Sequence, residues 1–170
     1  MQANSWFRWI ATVTLGLSLM ACSTLPGRTA KPLAQAELFF DVYAERTDFE
    51  RFMAFYADDA ILEDLIYGHI AQGKSEIRAF LNWNDGKFAL SNGATAMRVN
   101  KLHADGRYVY AQGVFNAFSY SGKPHGPWRF LIALEFNREG QIIRHIDWIN
   151  YTPRESFLGG KNLNESPLAE

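Results

Sequence analysis

Two apolar rhythms follow one another along this chain, and their order limits the fold more than any other feature. Up to Leu81 most of the buried-type residues recur at helical spacing. Leu33 to Arg46 reads as a helix with Ala36, Phe39, Phe40 and Tyr43 on one face. Asp48 is placed to N-cap a second helix, in which Phe49, Phe52, Met53 and Tyr56 form an i, i+3, i+4, i+7 stripe. Ala60 to Tyr67 reads as extended. Ser75 is placed to cap a third helix, with Glu76 in its first turn, Ile77, Phe80 and Leu81 facing inward, and Trp83-Asn84-Asp85-Gly86 as its stop. From Ala94 the period changes to two. Ala94–Leu102, Tyr108–Tyr120, Trp128–Phe136 and Gln141–Tyr151 read as strands, separated by Asp105-Gly106, Ser121-Gly122-Lys123-Pro124 and Asn137-Arg138-Glu139-Gly140. Helices followed by a run of hairpin-linked strands predict an α+β domain with helices on one face of a curved antiparallel sheet.

The N-terminal segment follows neither rhythm. Arg8 is basic, Ile10 to Met20 is uncharged and apolar, and Leu19-Met20-Ala21-Cys22 follows. The apolar run is short for a membrane span and suits a signal-peptide core. The Leu-Met-Ala-Cys sequence resembles the lipobox of bacterial lipoproteins. That resemblance implies a leader over residues 1–21, a lipidated Cys22 and tether over 22–32, and a domain exported from the cytoplasm and held by lipid. An uncleaved anchor helix is the plain alternative. Ser23 and Thr24, with no Asp after the Cys, resemble outer-membrane sorting, with the domain facing the periplasm. The globular domain is expected over 33–157 and a polar tail over 158–170. Cys22 is the only cysteine, so no intramolecular disulfide is possible. A net charge of −1 gives no basis for a nucleic-acid partner. The 15 % aromatic content, with 13 Phe, exceeds what a minimal core needs and points to an aromatic-lined cavity for a small hydrophobic molecule.

The segments Phe55-Tyr56-Ala57-Asp58-Asp59-Ala60-Ile61-Leu62-Glu63-Asp64 and Gly73-Lys74-Ser75-Glu76-Ile77-Arg78-Ala79-Phe80-Leu81 resemble the ketosteroid isomerases and the wider nuclear transport factor 2-like superfamily. Leu134 through Ile143, and on to Asp147-Trp148, resembles the last hairpin of the same superfamily, including limonene epoxide hydrolase and SnoaL-type polyketide cyclases. The likeness spans roughly residues 33 to 157. It implies a cone-shaped α+β (cystatin-like) fold with a curved sheet wrapped around three N-terminal helices. It leaves the reaction open, because that fold hosts isomerases, hydrolases, cyclases, dehydratases and binding modules.

Asp64 falls where ketosteroid isomerase keeps its general base, and it shares strand parity with apolar Leu62. A carboxylate in an apolar cavity is biased toward its neutral form, which suits proton abstraction. The plain alternative is a strand-end Asp bonded to backbone or paired with Arg129 or a His. The isomerase's two oxyanion donors fall on Phe40 and Ile132, which cannot donate hydrogen bonds. Tyr43, one helical turn on from Phe40, could stand in for the first. Asp147 falls where the epoxide hydrolase and the cyclases keep an acid–base Asp. His145, two residues earlier, shares its face with Ile143 and Ile149. The epoxide hydrolase's Arg-x-Asp has no counterpart in Tyr110-Ala111-Gln112-Gly113-Val114-Phe115-Asn116. Asp64, Asp147 and His145 are therefore the candidate acid–base set. Their plain alternative is a satisfied polar pair that holds strand register.

Tyr43, Tyr67, His69, Trp83, Asn116 and Trp128 are the candidate substrate contacts; core or surface-loop packing is the ordinary use of such residues. Ile146 and Trp148 alternate with the inward set and mark the outer sheet face, a candidate homodimer surface. His69, His103, His125 and His145 lack metal-ligand spacing, and no glycine-rich phosphate loop precedes a helix, so neither a metal nor another cofactor is expected. Three functions stay open: a cofactor-free isomerase, cyclase or dehydratase, a binding module, and an envelope-complex partner.

Overall fold

The computed structural model describes residues 30–90 and 94–151. The leader, Cys22, most of the tether and the C-terminal tail lie outside them. Among the described residues three helices, α1 (Ala30–Glu45), α2 (Phe49–Ala54) and α3 (Lys74–Phe80), accompany nine strands. The strands are β1 (Tyr56–Asp64), β2 (His69–Gln72), β3 (Phe88–Leu90), β4 (Met97–Asp105), β5 (Tyr108–Phe115), β6 (Phe118–Tyr120), β7 (Lys123–His125), β8 (Trp128–Phe136) and β9 (Ile142–Ile149). Six of them form a large sheet in the order β2-β1-β9-β8-β5-β4, and β3-β6-β7 form a small second sheet.

This is the mixed α+β arrangement that the change of period predicts. The inner face of the large sheet and the apolar faces of the helices close on one core, which includes Phe39, Phe52, Tyr56, Leu62, Ile132 and Leu134. The α1 stripe is buried as expected at Ala36, Phe39, Phe40 and Tyr43. The Asp48 carboxylate accepts the Arg51 N–H at 2.9 Å and so caps α2.

Five local expectations change. Tyr56 is a strand residue and not the last position of a helical stripe. It pairs with Ile142 in the parallel β1–β9 ladder, where the Ile142 N–H donates to the Phe55 carbonyl at 2.8 Å. Its ring is buried in either conformation, so periodicity could not separate them. The start of α3 is not capped by Ser75: Gly73, at φ 81°, turns the chain in, and the Glu76 carboxylate accepts the Gln72 N–H at 2.7 Å. The extended stretch expected over Ala60 to Tyr67 runs instead from Tyr56 to Asp64, and after a turn the chain returns as β2 over His69–Gln72.

The long strand expected over Tyr108–Tyr120 breaks after Phe115. There the Asn116 N–H donates to the Ala96 carbonyl and its side-chain amide to the Thr95 carbonyl, and the chain leaves for the small sheet. Ser121 and Gly122, both at positive φ, then turn β6 into β7 as a two-residue hairpin. Finally, an irregularity between Glu135 and Phe136 puts Ile142 in the core and leaves Ile143 only half-buried.

Gly113 marks a close approach. A Cβ there would lie 2.2 Å from the Arg98 carbonyl oxygen and 2.5 Å from the Phe130 ring, so β5 can sit this near its neighbours only with glycine.

Candidate active site

Strand β9 carries the site's polar groups on its inner face. His145, Asp147 and Ile149 alternate inward as their parity predicts, and Asp64 lies beside Asp147 in the parallel β1–β9 register. All three polar side chains are buried, at 0 % exposure for His145, 1 % for Asp64 and 2 % for Asp147. Buried polar groups need partners, and these find two different sets.

The first set is a chain of three. The Tyr56 hydroxyl lies 2.6 Å from His145 Nδ1, and His145 Nε2 lies 2.8 Å from Asp147 Oδ1. A carboxylate only accepts, so Nε2 carries the hydrogen and donates it to Asp147. Nδ1 is then left to accept from the Tyr56 hydroxyl. Burial first, and then Tyr43 and the Asp147 charge, hold the Tyr56 phenol well above its ordinary range, so it stays a donor. Both nitrogens of His145 are thus engaged, one of them on Asp147.

The second set satisfies Asp64. Oδ1 accepts the backbone N–H groups of Ile66 (3.0 Å) and Tyr67 (2.9 Å), and Oδ2 accepts the Tyr151 hydroxyl at 2.8 Å. Asp64 therefore closes the β1–β2 turn and anchors Tyr151. Its carboxylate does not line the cavity.

That cavity, of about 210 Å³, opens where the end of α1, the end of α3 and the small sheet meet the inner face of β9. Asp147 and Tyr151 form part of its wall, facing Tyr43, Arg46, Trp83 and Phe118. It is smaller than the roughly 300–1,000 Å³ of drug-sized pockets, yet it holds far more than one ordered water.

Two phenols on its wall remain protonated at neutral pH. Burial raises the Tyr43 pKa, with Arg46 opposing and Asp147 reinforcing the shift. Burial also raises that of Tyr151, reinforced by the charges of Asp147 and Asp64. The Tyr43 hydroxyl can donate to an oxygen in the cavity, beside the Asp147 carboxylate, whereas the single hydrogen of the Tyr151 hydroxyl is already given to Asp64.

Of the candidate substrate contacts, Tyr43 and Trp83 reach the cavity wall. Tyr67 is largely exposed, and its ring stacks on Tyr151 at 4.2 Å. Trp128 packs edge-on against the same Tyr151 ring at 4.8 Å. His69 stacks on Phe80, and Asn116 serves the break after β5. Tyr67 and Trp128 thus hold a wall residue without being part of the wall. Phe40 turns away, lining a groove between α1 and β4, and Ile132 is core. Among the described residues, no three His, Cys, Asp or Glu side chains converge as a metal-binding group would.

Sequence reasoning missed Tyr151, Arg46 and the second use of Tyr56. Tyr151 follows directly on the inward alternation of β9 and carries a polar tip, a signal that was available. Arg46 closes the stripe of α1 and gave no signal of its own.

The sequence profile of the SnoaL-like domain family matches residues 36–145. Among solved structures, an LEH-like epoxide hydrolase from M. tuberculosis is 17 % identical with a TM-score of 0.59, over 72 % of this chain and 85 % of that one. A protein named as a SnoaL-like polyketide cyclase from Shewanella putrefaciens is 18 % identical with a TM-score of 0.59, over 71 % and 90 %. One named as a ketosteroid isomerase from Kribbella flavida is 20 % identical with a TM-score of 0.56, over 83 % and 97 %. At these identities the likeness establishes a shared fold. No curated protein matches the chain.

Proposed function

The chain belongs to the SnoaL-like domain family, which has isomerase and cyclase members, and from that premise we propose that its cavity performs acid–base chemistry on a small, oxygen-bearing organic substrate. Asp147 is the proton-transferring carboxylate, His145 and Tyr56 position it, the Tyr43 hydroxyl stabilises charge on a substrate oxygen, and Tyr151, bonded to Asp64, shapes the wall. The observation that carries this reading is the buried Tyr56–His145–Asp147 chain, which ends in the cavity wall. A satisfied polar pair needed only for register would not have to end there. The reaction class is proton transfer next to a carbonyl or hydroxyl, as in isomerisation, cyclisation or dehydration.

The test needs no prior substrate. Cyclohexanone and butanone, incubated with the protein in D₂O, report α-proton exchange by NMR. Exchange above background that disappears in Asp147→Asn supports the reading. Exchange that is equal in Asp147→Asn, or absent from the native protein, removes it.

Asp64 supports a second reading. Its carboxylate accepts three hydrogen bonds and does not line the cavity, so one acidic group, not two, faces the ligand. A module that binds a small hydrophobic molecule unchanged would look the same, and it predicts ligand retention with no exchange.

The location is proposed on sequence grounds. Residues 1–21 act as a leader and Cys22 is lipidated, which places the domain at the periplasmic side of the outer membrane. Among the described residues no helix is long and apolar enough to cross a membrane. Incorporation of labelled palmitate that is lost in Cys22→Ser supports the anchor; incorporation unchanged in that variant refutes it.

A homodimer through the outer sheet face is also proposed. Trp148 and Leu131 are cross-strand partners there, at 56 % and 47 % exposure, with Ile61, Ile70 and Tyr110 on the same face.

A further inference from the structure

Arg46 lines the cavity wall in a strained backbone conformation, and the proposed chemistry does not use it. It is the first residue past α1, and its φ is 50°, a left-handed conformation that costs a non-glycine residue about 1–2 kcal/mol. The turn brings its guanidinium back over the core. There it sits 4.2 Å from the Phe88 ring centroid, 5.0 Å from Tyr43, 5.2 Å from Trp83 and 5.8 Å from Phe115. Its charge opposes the rise that burial gives the Tyr43 phenol.

Among the described residues no carboxylate forms a salt bridge with it, although Asp147 lines the same cavity. Its Nε is buried without an acceptor, and so is the indole Nε1 of Trp83. A cation held in a ring cage keeps some attraction. A half-buried cation with no anion, beside two buried N–H donors that lack acceptors, is nevertheless what a fold avoids unless something else brings the acceptor. Both donors belong to side chains of the cavity wall, so an anionic oxygen group is what this wall lacks.

We propose that the cavity binds a small organic carboxylate, with its carboxylate on Arg46 and its uncharged part turned toward Asp147. The polarity follows from the charges: Asp147 and Asp64 lie together on β1 and β9 and repel an anion, while Arg46 enters from the end of α1 and attracts it. The aromatic walls at Phe88, Phe118 and Trp83 suit a flat or apolar body. This inference takes the cavity to be the working site, as proposed above, and narrows its substrates to small acids. It does not need Asp147 to move a proton.

The experiment compares benzoate with its neutral isostere benzamide, by calorimetry or by tryptophan fluorescence of the native protein. A hydrogen-bonded charge pair predicts benzoate tighter by at least about tenfold. That preference disappears in Arg46→Asn, which removes the cation but tolerates the left-handed backbone, and is partly kept in Arg46→Lys. Benzoate affinity is equal or higher in Asp147→Asn, because a repelling charge is gone. Equal binding of the two probes, no binding of benzoate, or an undiminished preference in a folded Arg46→Asn overturns the inference. If that variant does not fold, the benzoate–benzamide ratio of the native protein decides. Loss of α-proton exchange with benzoate selectivity intact would remove the catalytic reading and leave this one standing; the converse would do the reverse.

Discussion

Raising the pH tests the buried phenols directly. Tyr43 and Tyr56 are almost wholly buried, and burial pushes both phenols above their ordinary range; Tyr151 is raised by burial and by two adjacent carboxylates. In the unfolded chain each releases its proton near pH 10. A raised folded pKa contributes stability that is complete below the unfolded value and is lost as pH rises toward the folded one. Above about pH 10 the unfolded state binds fewer protons than the native state, so stability falls by about 1.4 kcal/mol per pH unit for each such tyrosine. The two wholly buried rings give roughly 3 kcal/mol per unit, and Tyr151 brings the slope to about 4. Against a typical total of about 5–15 kcal/mol, this unfolds the domain within a few pH units.

Urea melts from neutral to strongly alkaline pH measure the slope, with phenolate absorbance and far-ultraviolet circular dichroism followed together. The buried phenols should ionise only as the dichroism is lost, and Tyr56→Phe or Tyr43→Phe should each lower the slope by about 1.4 kcal/mol per unit. If all seven tyrosines ionise while the fold and its urea midpoint stay constant, water reaches these phenols and burial does not raise their pKa values.

Three further outcomes follow from particular contacts. Tyr56→Phe leaves His145 Nδ1 buried without its donor, which costs about 1–3 kcal/mol in a urea melt at neutral pH; an unchanged midpoint would mean that the 2.6 Å bond is not maintained in solution. Gly113→Ala drives a methyl into the Arg98 carbonyl and costs about 1–3 kcal/mol or more, and adding Phe130→Leu does not restore the midpoint, because the blocking oxygen belongs to backbone. Trp148→Arg, on the exposed outer sheet face, shifts a sedimentation profile from dimer to monomer while leaving the fold intact; a monomeric native protein would remove the dimer proposal.

Much of the fold was legible because it follows from local periodicity. The α1 stripe, the Asp48 cap, the strands β4, β5, β8 and β9 and the inward parity of His145 and Asp147 all come from spacing and turn residues. Misreadings arose where a residue satisfied two patterns at once. Tyr56 fits a helical stripe and an inward strand position equally well. The Tyr108–Tyr120 alternation continues unbroken through a point where Asn116 takes its bonds from another segment. The acid–base candidates were legible as inward carboxylates, but their different fates were not. Asp64 spends its oxygens on its own turn and on Tyr151, while Asp147 spends one on His145 and lines the cavity.

The amino-acid order alone determined which faces are apolar, where the chain turns and which polar residues must leave water. Those properties depend on neighbours a few positions away. Tertiary structure alone decided the partners: Tyr56 meets a histidine 89 residues on, Tyr151 reaches back to Asp64, and Arg46 folds over rings from four separate segments. A hydrogen bond or a charge contact depends on distance in space. Periodicity fixes which way a side chain points along its own element and says nothing about which remote atom waits there.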